Sequence, residues 1–164
     1  MKLESLRELF IEELQDLYSA EKMILKALPK MVEKASSASL RDAFEEHRIQ
    51  TEGHVQRLDQ VFDQLKDIDR EDKKCKGMEG IIKENEDLLK EDAEPEVLDA
   101  GMISGAQRVE HYEIAAYGTV RTYASLLGNQ SWAQLLQQTL DEEKQTDQKL
   151  NDLAERINLE AKAA

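Results

Sequence analysis

Apolar residues recur along this chain at intervals of three and four, the rhythm of helices that bury one face, and two-residue strand alternation is almost absent. Leu3, Leu6, Phe10, Leu14, Leu17, Ile24, Leu28 and Val32 keep to one face and predict a helix over about residues 3–34, with Pro29 kinking its last part. The segment ASSAS breaks the pattern. Ser39 can cap a second helix, about 39–66, that carries Leu40, Phe44, Val55, Leu58, Phe62 and Leu65. A charged connector, DIDREDKKCKG, leads into a short amphipathic helix over about 78–90. Pro95 suits the first turn of the next long helix, about 96–127, which ends at Gly128. The last helix covers about 131–158, with Trp132, Leu136, Leu150, Leu153 and Ile157 inward and the tail LEAKAA expected to fray. Two short turns around one long connection describe an all-α, ferritin-like four-helix bundle with a short extra helix in the crossover.

Each apolar stripe is interrupted near its middle by polar side chains. On a helical wheel they are Glu21 on the first long helix, His47, Thr51 and His54 on the second, Glu113 on the third and Glu143 on the fourth. Glu110 lies toward the edge of its stripe, Thr146 and Asp147 flank Glu143, and His111 points to the opposite face of its helix. Folding the chain about its two short turns brings these groups to one height. Glu21 and Glu113 stand about 16 residues before their turns, His54 about 17 after the first, and Glu143 and Asp147 about 14 and 18 after the second, which is one layer to within a helical turn. A shift of about 92 residues superimposes the two halves, Glu21 on Glu113 and Thr51 on Glu143. Such halves supplying inward carboxylates are how ferritin-like bundles hold two metal ions.

Composition sets limits on the function. At 164 residues, with 40% apolar and 35% charged, the chain suits one domain, 1–164, around a single core. A net charge of -13 repels phosphate backbones and anionic lipid, so neither a nucleic-acid nor a membrane partner is expected. The single cysteine, Cys75, excludes an internal disulfide, and no activating motif surrounds it. The start MKLESLRELF lacks the profile of a secretion signal, and no stretch reaches the roughly 18 apolar residues of a membrane span. A cytoplasmic protein is expected.

Several carboxylates meeting in an apolar core cost several kcal/mol each unless protonated, hydrogen-bonded or neutralised. No lysine or arginine falls on the inner stripe near this layer. One or two divalent cations are therefore an economical counter-charge, and carboxylate with imidazole suits iron, manganese or zinc. Glu21, Glu113 and Glu143 are the central candidate ligands, His54 and Asp147 lie one step off centre, and His47 and Glu110 complete the candidate set. The alternative is a metal-free polar layer that fixes helix register, its acids partly protonated and bonded to Thr51, Tyr117 and Thr146.

The strings YSAEKMILKALPKM, HRIQTEGHVQRLDQVF, KCKGMEGII, VEHYEIAAYGT and LDEEKQTDQKL, in this order, resemble the bacterial YciE/YciF stress-protein family, a branch of the ferritin-like superfamily. The resemblance covers nearly the whole chain. It implies a cytoplasmic, dimeric, rubrerythrin-like bundle linked to stress responses, with a dinuclear metal centre and no settled activity. The family's inward acids match Glu21, Glu113, Glu143 and Asp147, with Glu110 as a neighbour. Ferritin-like di-iron enzymes generally carry Glu-x-x-His on the second and fourth helices, whereas these places read Thr51-x-x-His54 and Glu143-x-x-Thr146. Two function classes follow. One is a redox metalloprotein in which an iron or manganese pair meets a small oxidant, peroxide or dioxygen. The other is a non-enzymatic stress protein, a homodimer, whose outer residues His111, Tyr112 and Tyr123 matter more than Glu113.

Overall fold

A computed structural model of the chain describes residues 3–65, 68–71 and 73–164. It contains α1 (Leu6–Lys34), α2 (Ala38–Gln64), α3 (Lys76–Leu88), α4 (Pro95–Leu126) and α5 (Gln130–Ala163). The connector's Asp67 and Asp72, and the predicted end of the second helix at residue 66, lie outside the described residues. Helices α1 with α2 and α4 with α5 form two hairpins, and α2 against α5 and α1 against α4 close the bundle. The short α3 sits in the crossover and packs on α4 and α1. Ferritin-like connectivity with one crossover is therefore the observed architecture.

Helix ends follow local chemistry, in places differently from the sequence expectation. α1 starts later than expected because Ser5 caps it: its Oγ accepts from Glu8 N–H at 3.2 Å, and Glu8 Oε2 reaches back to Glu4 N–H at 2.7 Å. Pro29 lies inside α1, which continues to Lys34. The first residue of α2 follows Ser37, not Ser39, and Ser37 makes no side-chain cap bond of its own. Asp99 of α4 supplies the acceptors instead, taking Ser36 N–H at 2.9 Å, Ser37 N–H at 2.8 Å and Ser36 Oγ–H at 2.7 Å. Asp99→Ala removes the acceptor of three part-buried hydrogen bonds and unties α4 from the first turn, so it should cost about 1–3 kcal/mol. A lower urea midpoint at unchanged slope checks this.

The turn after α4 is a Schellman motif. Gly128 takes φ 79° and donates to Ser125 O at 3.0 Å, while Asn129 N–H reaches Ala124 O at 3.0 Å. Asn129 then caps α5 through Trp132 N–H at 3.1 Å. The expected fraying of LEAKAA is not observed: α5 continues to Ala163, since Leu, Glu, Ala and Lys are all good helix formers and no glycine or proline stops them. α3 approaches α4 closely because Gly101 and Gly105 offer no side chain there. A Cβ at Gly105 would fall 1.5 Å from Asn85 Oδ1, and one at Gly101 would fall 2.8 Å from Leu88.

The core consists of two apolar clusters. Phe10, Leu14, Leu17, Leu58, Leu136 and Leu140 belong to one, Ile24, Leu28, Phe44, Met102, Val109 and Leu150 to the other. On every long helix the buried acids and histidines of the layer fall between members of the two: Glu21 between Leu17 and Ile24, His47 to His54 between Phe44 and Leu58, Glu110 and Glu113 between Val109 and Tyr117, Glu143 between Leu140 and Leu150. The predicted polar layer is thus real and divides the core.

Candidate metal centre

Glu21, Thr51, His54, Glu113 and Glu143 are all fully buried, Glu110 is 1% exposed and His47 is 4% exposed. Each is placed by the helical period within a stripe that apolar neighbours hold inward. Glu110 is therefore corrected from the edge of its stripe to the interior. His47, seven residues and two turns from His54, still lies in the same assembly, with 6.3 Å between the two ring centroids.

Among the described residues, two three-residue groups have ligand atoms within 4.8 Å of one another: Glu21, His54 and Glu143, and His47, Glu110 and Glu143. Glu143 belongs to both. Around the first, His54 Nδ1 lies 2.8 Å from Glu143 Oε1 and 3.3 Å from Glu21 Oε1. Around the second, His47 Nε2 lies 3.3 Å from Glu110 Oε1. Tyr117 Oη–H donates to Glu21 Oε1 at 2.5 Å and fixes that carboxylate from the neighbouring cluster. Glu113 stands beside Glu21 and Glu143 but joins neither group.

Buried donors and acceptors are almost always paired, which makes this layer unusual. Among the described residues, ten buried side-chain polar atoms make no hydrogen bond of good geometry, and eight belong here: Glu21 Oε2, His47 Nε2, Glu110 Oε2, both oxygens of Glu113, Glu143 Oε2, and the close pair His54 Nδ1 and Glu143 Oε1. All eight are of metal-ligating type. Mixed imidazole and carboxylate donors converging with unpaired atoms fit a transition-metal ion.

Burial and then the Glu143 charge push the Glu110 carboxyl well above the usual carboxylate range. Burial, with Glu21 and Glu143 beside it, does the same to Glu113. Burial alone would lower His54, but the Glu21 charge and the contacts to Glu142 and Glu143 outweigh it and raise its basicity. For Glu143, burial opposes ionisation while the bond to His54 and the charges of His54 and His47 prevail, holding it at about 2. His47 is lowered by burial. Without a cation, these environments favour the ionised form of Glu143, the protonated forms of His54, Glu110 and Glu113, and the neutral form of His47.

A family model described as a domain of unknown function, DUF892, matches residues 5–163. The chain belongs to this family. Protein YciF of Escherichia coli strain K12 is 42% identical over 154 residues, covering 94% of this chain and 93% of its own. The solved structure of the E. coli stress protein YciF superimposes with a TM-score of 0.91, covering 94% of this chain and 98% of that one. YcfI of Rhodopseudomonas palustris, described as a proposed structural protein, gives 0.87 at 39% identity over 92% and 95% of the two chains. A Xanthomonas campestris protein at 20% identity shares the fold, with a TM-score of 0.71 over 94% of each chain.

In this DUF892 chain the second and fourth helices replace the Glu-x-x-His pattern of di-iron enzymes with another donor set. Thr51 Oγ–H is spent on its own helix, donating to His47 O at 2.8 Å. Thr146 Oγ–H is shared between Gln50 Oε1 at 3.2 Å and Glu142 O at 3.1 Å, with His47 Nδ1 at 3.5 Å. Helix α2 contributes two imidazoles instead of a carboxylate, and α4 contributes both Glu110 and Glu113.

Asp147 is not brought into either group. It is only part-buried, and its Oδ1 lies 3.3 Å from Nε2 of His111, which is itself exposed. Its short side chain, one step off the centre of α5, turns to the α4–α5 seam. His111 remains on the surface as expected, but Tyr112 does not: its hydroxyl donates to Asp16 Oδ2 at 2.7 Å and lies 3.1 Å from Cys75 Sγ, against α3. Tyr123 packs on the apolar cluster. Cys75 is fully buried and caps α3, accepting from Met78 N–H at 3.3 Å.

Glu142 and Arg57 are functional candidates that the wheel did not single out. His54 Nε2 lies 2.9 Å from Glu142 Oε2, Arg57 forms an ion pair with the same oxygen, and Arg57 Nε–H donates to Thr139 Oγ1 at 2.9 Å. A cation, Arg57, therefore stands beside the layer but off the inner stripe, which among the described residues carries no buried lysine or arginine. It acts on the outer carboxylate rather than on the buried ones. The available signal is that a histidine whose one ring nitrogen faces a metal needs a partner for the other.

Proposed function

We propose that the layer is a dinuclear centre for iron or manganese, one ion held by Glu21, His54 and Glu143 and the other by His47, Glu110 and Glu143, with Glu113 as a further carboxylate donor. The observation that carries this reading is Glu143, whose fully buried carboxylate belongs to both groups and faces His54 Nδ1 at 2.8 Å. Bound ions would supply Lewis-acid and redox chemistry toward a small oxidant, peroxide or dioxygen. The chain's own residues hold the donors, fix the His54 tautomer through Glu142, and exclude water with the apolar cluster on either side. In this reading the protein is a cytoplasmic homodimer that serves a stress response; only the last part draws on a relative, the E. coli stress protein YciF. Among the described residues no helix is long and apolar enough to cross a membrane.

Elemental analysis of protein purified without chelator tests the reading. Two ions per chain are expected, together with a higher melting temperature: ligand at 100 times its dissociation constant adds about 2.7 kcal/mol, roughly 5–10 °C for a domain of this size. Because burial favours the protonated forms of Glu110 and Glu113, ligation by their carboxylates is expected to release protons, so affinity should rise with pH. Protein that stays metal-free and unshifted in ferrous and manganous ions overturns the proposal. The second reading is then the stronger. The pair of ionised Glu143 and protonated His54, with neutral acids around it, is a self-consistent register-fixing layer, suited to a non-enzymatic dimer.

A further inference from the structure

A cavity of about 40 Å³ runs between the helices on the His47 side of the layer. Its wall is apolar, formed by residues such as Ile24, Leu28, Phe44, Val109 and Leu150. His47 and Thr146, both of the polar assembly described above, line it. So do Lys30 and Glu86, which are exposed and joined by an ion pair of 2.8 Å. An exposed pair of this kind contributes about 0–1 kcal/mol, so it is a weak barrier to entry.

Size and lining together select an occupant. A water needs roughly 10–15 Å³ and two to four polar partners, whereas an engineered cavity that binds benzene measures roughly 150 Å³. This cavity has room for a diatomic molecule, not for a ring or an acyl chain. Its surface is almost wholly apolar and offers water or hydrogen peroxide few partners: of the uncharged polar side chains in the lining, Thr146 already donates to Gln50 and Glu142 and Asn85 to Ile81 O, which leaves the His47 ring beside the layer. We infer that this cavity docks a small apolar molecule of the dioxygen class against the His47 side of the polar layer. That the docked molecule serves the layer rests on the dinuclear reading; the docking itself does not.

Dissolved dioxygen is paramagnetic, so methyl relaxation in metal-free protein under oxygen pressure, compared with nitrogen, reads docking directly. The methyls of Ile24, Leu28 and Leu150 should relax several-fold faster under oxygen than those of Leu14 and Leu136 in the other apolar cluster. Ala27→Leu, placed on the cavity wall and away from the polar layer, should remove this excess while leaving Leu14 and Leu136 unchanged. A uniform enhancement over both clusters overturns the inference. Crystals of the wild-type protein under xenon provide a reading that needs no variant: density beside His47 supports docking, and its absence there overturns it. Metal content of the same preparation separates the two proposals. Docking without metal supports the cavity and removes its link to chemistry, whereas metal without docking overturns the cavity alone.

Discussion

Glu143→Gln is expected to abolish binding of both ions, raising each dissociation constant by more than about 100-fold, beyond the range typical of outer-shell partners. The substitution keeps the side-chain volume and one carbonyl oxygen but removes the charge shared by the two ligand groups. His47→Gln, which touches one group only, should lose one ion and keep the other. Elemental analysis and chelator competition on the two variants check the contrast. If Glu143→Gln retains one tightly held ion, Glu143 is not a shared ligand and the two groups are independent. The metal-free variant needs its own melting curve, because Glu143 also balances protonated His54. Leaving a buried charge without its partner costs about 3–5 kcal/mol, less whatever His54 recovers by releasing its proton.

The contrast between these residues also shows what a wheel can and cannot locate. Glu21, Glu113 and Glu143 were legible because a helix fixes the direction of each Cβ, and a carboxylate centred on an apolar stripe has only the core to face. The two-cluster core and the four long helices followed from the same periodicity. Reach was not legible. Glu110 and His47 sit off centre in angle and height, yet their long side chains lean along the helix and meet at 3.3 Å. Asp147, at similar angular distance, has a shorter arm and turns to His111 instead. Glu113 shows the converse case, since its direction is right and yet its oxygens fall outside both three-residue groups.

Other differences were available in one dimension but masked by a stronger pattern. Ser5-Leu-Arg-Glu8 is a capping-box spacing, hidden behind an apolar Leu3 that extended the stripe. Asp99 on α4 closes the first turn from 63 residues away in sequence, and no local rule points to it. The end of α5 is a matter of propensity overriding the general tendency of termini to fray.

Glu142→Ala should weaken the ion on the His54 side by about 10–100-fold and leave the His47 side nearly unchanged, the magnitude usual for the carboxylate behind a ligating histidine. Glu142 is held below the usual carboxylate range by its bond to His54, against partial burial, with Arg57 assisting. It therefore accepts from His54 Nε2–H while Nδ1 is left facing Glu21 and Glu143. Removing it frees the ring to rotate and to exchange tautomers, so the loss acts through orientation and not through a missing ligand. Titration of the two sites with manganous ion, followed by ¹⁵N spectra of the His54 ring in the variant loaded with diamagnetic zinc, where one ring nitrogen holds the metal and the other the proton, checks both parts. A merely structural role for Glu142 would lower the melting temperature without changing the tautomer and would weaken both ions alike. Glu142→Gln retains an acceptor for Nε2–H and should restore most of the affinity. Failure of that rescue would point to the Arg57 ion pair, rather than the histidine bond, as the reason the carboxylate is there.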